Sequence, residues 1–302
     1  MKKIRWKEIL PSILICYTLW GSTALYCALD PGIDTAFLLA ARFFWACVFC
    51  TIMLLAQGKL PELKKVFSDK EVLKREIPAA VFLVADAALY LYGISRGQVM
   101  QCSMGYYIMP LVMVAFGALV FHEKLTAGNY VALGFIAAGI IFSFRGFGSF
   151  PWITIGLSVA FAIYSAIKKS LTIDTTVTTC AEFLIIAPFA LLFILLFRMG
   201  DNGMAGLTLK RQFFVMGAGL FNVLPMLFFA KIVTALPMAV TGILQYLSPT
   251  LGLVSGVILG EELTREKLVS FALIWIGIII YSAEELKRSK EKSPSEDGDV
   301  VS

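Results

Sequence analysis

An ionised side chain buried in hydrocarbon is costly, so the few charged residues inside this chain's long apolar runs are its first candidates for chemistry. Asp86 lies deepest, nine residues into the run 77–95 and about 13 Å from its start at helical rise. Tyr90 and Gly93 follow at i+4 and i+7, giving one helical face a carboxyl, a phenol and a gap. Such a carboxyl suits three tasks: pairing with a substrate ammonium, titrating a proton, or bonding two helices as the protonated acid. Arg42 stands about two turns inside the run 35–57, and Glu182 about one turn inside 178–198. Anchoring or snorkelling toward a membrane surface is the expected role of these two, structural or gating. Lys231, near the end of the run 212–232, reads as interfacial.

Uncharged polar and aromatic residues suggest a cavity. Thr241, Gln245 and Ser248 share one face of the run 238–260 at i, i+4 and i+7. Tyr246 lies beside Gln245, Tyr106 and Tyr107 lie in the run 99–121, and Asn222 precedes Pro225. With Asp86 and Tyr90 these are candidate solute contacts, although aromatic rings in membrane helices also serve packing. Pro110 and Pro249 each remove a backbone hydrogen bond, which suits a gating bend or a static kink. Gly93-x-x-x-Gly97 and Gly252-x-x-x-Gly256 predict close helix approach.

Several chemistries lack their residues. No GxxxxGK[ST] phosphate loop, HExxH or paired aspartate-rich motif occurs, and His122 is the sole histidine. No catalytic residue, metal or cofactor is therefore expected. The six cysteines fall in or beside apolar runs, so no disulfide framework is suggested, and Cys47-x-x-Cys50 reads as two small apolar fillers.

The elements that position these residues follow from composition. Only 16% of the 302 residues are charged against 59% hydrophobic, and mean hydropathy is +0.82. A soluble surface needs roughly 25% charge, so lipid is the main solvent. The net charge of +5 does not point to nucleic acid, because the basic residues flank the apolar runs. Ten runs approach the roughly 17–25 residues that span a bilayer: 9–29, 35–57, 77–95, 99–121, 128–145, 151–170, 178–198, 212–232, 238–260 and 268–285. The first is too long for a signal peptide's apolar region and has no small-residue cleavage site, so it reads as a retained helix. With the N-terminus inside, 18 of the 26 Lys and Arg residues are cytoplasmic, seven are external, and Arg42 is within a span. Both termini are then cytoplasmic.

The runs also repeat. Tyr107-Ile108-Met109-Pro110 aligns with Tyr246-Leu247-Ser248-Pro249 at an offset of 139, and Gly117 and Glu123 then meet Gly256 and Glu262. Trp20-Gly21 meets Tyr164-Ser165 at an offset of 144, and Arg42 meets Glu182 at 140. Five crossings are an odd number, so the second copy enters the membrane from the opposite side. Two inverted five-helix repeats are therefore expected, residues 1–146 and 147–286, followed by a disordered cytoplasmic tail, 287–302. Alternating-access transporters use this arrangement around a midplane site.

These residues resemble the drug/metabolite transporter superfamily, in its EamA-type, RarD-like branch. The resemblance covers residues 9 to 283. It is carried by Tyr17, Trp20-Gly21, Arg42, Gly105-Tyr106-Tyr107-Ile108-Met109-Pro110, Glu123, Tyr164, Glu182 with Pro188, Gln245-Tyr246-Leu247-Ser248-Pro249-Thr250 and Gly260-Glu261. It implies ten helices and a central cavity that adds Tyr17, Trp20 and Tyr164 to the candidate solute contacts. It also implies movement of amino acids, related metabolites or drugs, often outward. Two positions depart: Asp86 replaces a usual Asn, and His122 replaces a small residue. A secondary transporter in the cytoplasmic membrane is expected, with a small-molecule substrate, a bilayer and a proton as partners. A membrane-embedded enzyme would need a nucleophile–base pair that the sequence does not offer. A non-transporting subunit would not exchange solute.

Overall fold

A computed structural model describes residues 6–30, 32–95, 99–143, 152–196, 207–259 and 265–291. These are helical throughout, as α1 (Trp6–Gly21), α2 (Thr23–Ala28), α3 (Thr35–Ala56), α4 (Leu60–Ser68), α5 (Lys70–Ser95), α6 (Val99–Leu119), α7 (Ala127–Ser143), α8 (Trp152–Ser170), α9 (Thr175–Leu196), α10 (Leu209–Ala235), α11 (Met238–Gln245), α12 (Leu247–Ile258) and α13 (Arg265–Glu291). Of the tail expected to be disordered, 287–302, residues 287–291 are instead the helical end of α13, and those from 292 onward lie outside the described residues.

Polar caps set where the helices begin. Asp34 accepts from the Phe37 N–H at 2.8 Å, Asp69 from Glu71 at 2.9 Å, Thr126 from Asn129 at 3.1 Å and Asp174 from Thr176 at 2.9 Å. Each satisfies a backbone donor that the first helical turn leaves open.

Two expected spans are interrupted. The run 9–29 breaks between α1 and α2, where the Thr23 hydroxyl bonds the Leu19 carbonyl at 3.0 Å and competes with the helix ladder. The run 238–260 breaks at Tyr246, three residues before Pro249. That proline cannot bond the Gln245 carbonyl and so sits in the first turn of α12, where a missing N–H is harmless. Pro110, its expected counterpart, lies inside α6 without interrupting it.

Among the described residues, five helices are long and apolar enough to cross a membrane, at Ala36–Ala56, Trp152–Ser170, Thr175–Leu196, Leu209–Ala235 and Leu268–Glu285. Shorter apolar helices run over Gly105–Leu119 and Ala127–Phe142. Their outward faces expose large apolar side chains such as Phe189, Leu196, Phe213, Ile141 and Ile279. So much exposed apolar surface is excluded in water and expected in lipid. The chain is an all-α, multi-pass membrane protein.

Helix neighbours define the interior. α8 packs on α5 and α6, and α1 packs on α10 and α12. α3 lies between α9 and α10, α9 also packs on α5, α6 meets α11, and α7 meets α13. Gly242 of α11 faces the Pro110 carbonyl, where an added Cβ would come to 2.8 Å, so glycine permits the α6–α11 crossing. Gly252 does not serve the close approach expected of it, because a Cβ there would meet open space.

Candidate functional site

Three groups of expected site residues come together, on different helices. The first is aromatic. Trp20 lies 6.0 Å from Tyr17 on α1, 6.0 Å from Phe161 of α8 and 5.4 Å from Phe229 of α10, between ring centroids. Tyr164 joins at 5.6 Å from Phe161 and 6.5 Å from Phe229. Such offset and tilted pairs are the favourable ring geometries. Tyr17 donates to the Thr241 carbonyl at 3.5 Å, linking the group to α11.

The second group ties α6 to α11 and α12. The Tyr246 hydroxyl donates to the Tyr107 carbonyl at 2.9 Å, and the Gln245 amide reaches Met109 Sδ at 3.0 Å. The Tyr107 ring stands 5.5 Å from Phe271. Tyr246 is buried and its hydroxyl is engaged, so it positions the crossing. Gln245 keeps a buried carbonyl oxygen with no partner.

In the third, the rings of Tyr90 on α5 and Tyr106 on α6 lie 5.9 Å apart, with Tyr90 packed against Ile153 and Leu157 of α8. Asp86 is one turn earlier on α5. It is 9% exposed, and among the described residues its buried Oδ1 meets no hydrogen-bond donor. Asn222 of α10 is equally buried and its amide nitrogen has no acceptor. Neither residue joins the three groups by a hydrogen bond or a ring contact among the described residues. A buried polar atom left without a partner costs about 1–3 kcal/mol.

Arg42 and Glu182 do not meet. Arg42 lies near Tyr26 and Cys27 of α2. Glu182 does not snorkel: it is fully enclosed, accepting from Lys168 Nζ at 2.5 Å and from the Tyr164 hydroxyl at 3.1 Å. Lys231 is exposed beside the Phe228 ring.

Sequence reasoning assigned no place in the site to four charged residues. Lys168, near the end of the run 151–170, and Glu76, just before the run 77–95, are fully buried. Glu123 and Lys169 close one end of the bundle. Glu123 accepts from the N–H groups of Met238 and Ala239 at 2.6 and 2.9 Å, and Lys169 donates to the carbonyls of Val233 and Leu236. Glu123 is aimed by a left-handed turn at His122, φ 51°, after which its own N–H returns to the Gly117 carbonyl. A Cβ at Gly117 would lie 2.6 Å from Glu123 Oε2 and 3.1 Å from the Ala239 nitrogen, so a side chain there would push the carboxylate away from its backbone partners. One signal could have found the buried pair. Tyr164 and Lys168, and then Thr178 and Glu182, are two i, i+4 polar pairs on helices joined by the four residues 171–174.

A lipid-facing exterior around a buried aromatic and polar interior defines a polytopic membrane protein. The chain belongs to the EamA-like transporter family, whose model matches residues 9–145 and again 151–283. It is a membrane transporter of small solutes, not an enzyme, in the RarD-like branch. An uncharacterized transporter, YojE of Bacillus subtilis (strain 168), is 30% identical over 279 residues, covering 90% of this chain and 93% of that protein. Protein RarD of Streptomyces exfoliatus is 27% identical over 276 residues, 91% of this chain and 88% of that one. A solved crystal structure shares the fold with a TM-score of 0.75 at 18% identity, over 92% of this chain and 98% of that chain.

Proposed function

We propose that this transporter is a ten-span protein of two inverted five-helix repeats that moves a small metabolite by alternating access. On this reading α1 with α2, and α11 with α12, are single broken spans, and α4 lies outside the spans. One observation carries it. Exchanging the two halves, span for span, maps the main helix contacts onto one another. The contacts of α8 with α5 and α6 become those of α1 with α10 and α12, and the α3–α10 contact becomes α9–α5. α3–α9, α6–α11 and α7–α13 map onto themselves, as contacts across a two-fold axis must. The offset of 144 pairs Tyr17 with Phe161 and Trp20 with Tyr164, and Trp20 packs against both Tyr17 and Phe161. The two matches to one family model support the same division.

The solute sits where the halves meet. Asp86 is the partner of a positive group on the solute, since its buried oxygen has no internal donor. Trp20, Tyr17, Tyr164, Tyr90 and Tyr106 supply ring faces, and Asn222 and Gln245 supply the amide groups. Tyr107 and Tyr246 hold the α6–α11 crossing. The surplus of Lys and Arg on one side puts both termini in the cytoplasm and the Glu123–Lys169 closure on the cytoplasmic face.

The test is counterflow in proteoliposomes loaded with unlabelled amino acids and given labelled ones outside. The purified protein exchanges at least one cationic or zwitterionic amino acid. Losing a buried charge partner costs about 2–5 kcal/mol, so Asp86→Asn weakens that solute's half-saturation at least about thirty-fold. Wild-type protein that exchanges neither these nor nucleobases nor methyl donors would sink the reading.

A further inference from the structure

Lys168 of α8, Glu182 of α9 and Glu76 of α5 form a charged cluster that solute recognition does not use, and all three are 0% exposed. Glu182 is well satisfied, with Lys168 on Oε1 and Tyr164 on Oε2. Lys168 also donates to Thr178 Oγ1 at 2.9 Å. Glu76 differs. Both of its carboxyl oxygens are buried and no donor among the described residues reaches them, yet its carboxyl lies within hydrogen-bonding reach of Glu182.

Charge counting decides what is missing. Two carboxyl groups beside one ammonium leave one negative charge uncancelled, and a low-dielectric interior magnifies that cost. Among the described residues the neighbouring helices supply no second cation. Arg75 turns to the Ser170 carbonyl at 3.0 Å, and Lys169 turns to Val233, Leu236 and Glu123. Glu62, Lys64 and Lys65 of α4 are exposed, as is Lys231 of α10. Cys50 of α3 and Cys180 of α9 bring only thiols. A single proton on Glu76 cancels the surplus charge and turns an orphaned acceptor into a donor toward Glu182.

We propose that Glu76, with Glu182 and Lys168, is a proton-binding site, and that Tyr164 couples it to the solute. The Tyr164 hydroxyl holds Glu182, while its ring contacts Phe161 and Phe229, the two rings that pack around Trp20. A solute that displaces these rings moves Tyr164 and changes the donor set at Glu182, and with it the hold on the proton. The coupling rests on the transporter reading above; the proton site does not.

Infrared difference spectra of the purified full-length protein, taken across a pH series, separate the two. Wild type carries a carboxylic-acid C=O band that Glu76→Gln deletes and Asp86→Asn leaves in place. Glutamine copies the shape and neutrality of the protonated acid, so this variant folds. Lys168→Gln removes the cation and adds a second acid band at the same pH. A band unchanged in Glu76→Gln overturns the site, and a band that shifts on replacing potassium with sodium overturns the proton in favour of a metal cation. For any amino acid that wild type exchanges, Glu76→Gln keeps counterflow and loses at least ten-fold of the uptake driven by a pH gradient. Retained gradient-driven uptake overturns the coupling. If wild type exchanges nothing, the transporter reading fails while the infrared result still decides the proton site.

Discussion

Glu123 shows how one side chain can carry a conformational preference. Its carboxylate faces the amino-terminal end of α11, where unpaired N–H groups and the helix dipole favour negative charge. Glu123→Gln keeps one acceptor oxygen and loses the charge, a change worth about 1 kcal/mol, which is roughly a five-fold shift between two states. A cysteine placed at Ser248, on the face shared with Gln245 and Thr241, reports that shift. Thiol reagent from the cytoplasmic side should label Ser248→Cys about five times faster when Glu123→Gln is also present. Equal rates would mean that Glu123 does not hold this face shut. The sequence set Glu123 only against Glu262 in the repeat and among the residues of the family resemblance. Its targets are backbone groups 115 and 116 residues away, and backbone groups leave no trace in side-chain identity.

At the scale of the element, hydropathy finds the spans because lipid demands long apolar segments. It does not find their interruptions. The break at α2 depends on hydroxyls, and that at Tyr246 depends on where in the helix a proline falls. Helix α4 was hidden within a basic loop because its buried face is only Leu63 and Val66. The short connections are held by polar contacts outside the bilayer. Asp174 caps α9 and pairs with Lys59 at 2.7 Å. Burial pushes its carboxyl up, but the Lys59 ammonium and the N–H groups of Val177 and Thr176 outweigh this and hold it below its usual range. A lowered carboxylate stabilises the fold above its ordinary value near pH 4 and loses that contribution as pH falls further. Thermal unfolding in detergent should therefore show wild type losing its advantage over Asp174→Ala as pH drops below about 4. At neutral pH the cap is worth about 1 kcal/mol. A constant difference between the two proteins down to pH 2 would remove the charge from the account.

For the molecule as a whole, the expectation of a repeat rests on matched residues at offsets of 139, 140 and 144, and the proposed exchange of the two halves rests on the helix contacts. The buried cluster was less legible. Glu76, Lys168 and Glu182 lie at the ends of three apolar runs, where a charge ordinarily reaches water, and only the packing of α5 against α8 and α9 encloses them. Topology is open to direct measurement. Reporters fused after residues 1 and 302 should both report from the cytoplasm, and one inserted near Gly203 should report from outside. A reporter after residue 302 that reads external would require an odd number of spans and dissolve the inverted repeat.

The closure at Glu123 and Lys169 has a consequence for how this protein tolerates change. Both side chains grip main-chain atoms, so the latch does not care which side chains stand at Val233, Leu236, Met238 or Ala239. Those four positions can drift as far as packing allows, with one exclusion: proline at 238 or 239 deletes the N–H that Glu123 holds. Half of the lock is thus written in the polypeptide itself, and its side-chain half rests on Glu123 and Lys169, with the glycine at 117 leaving room for the Glu123 carboxylate.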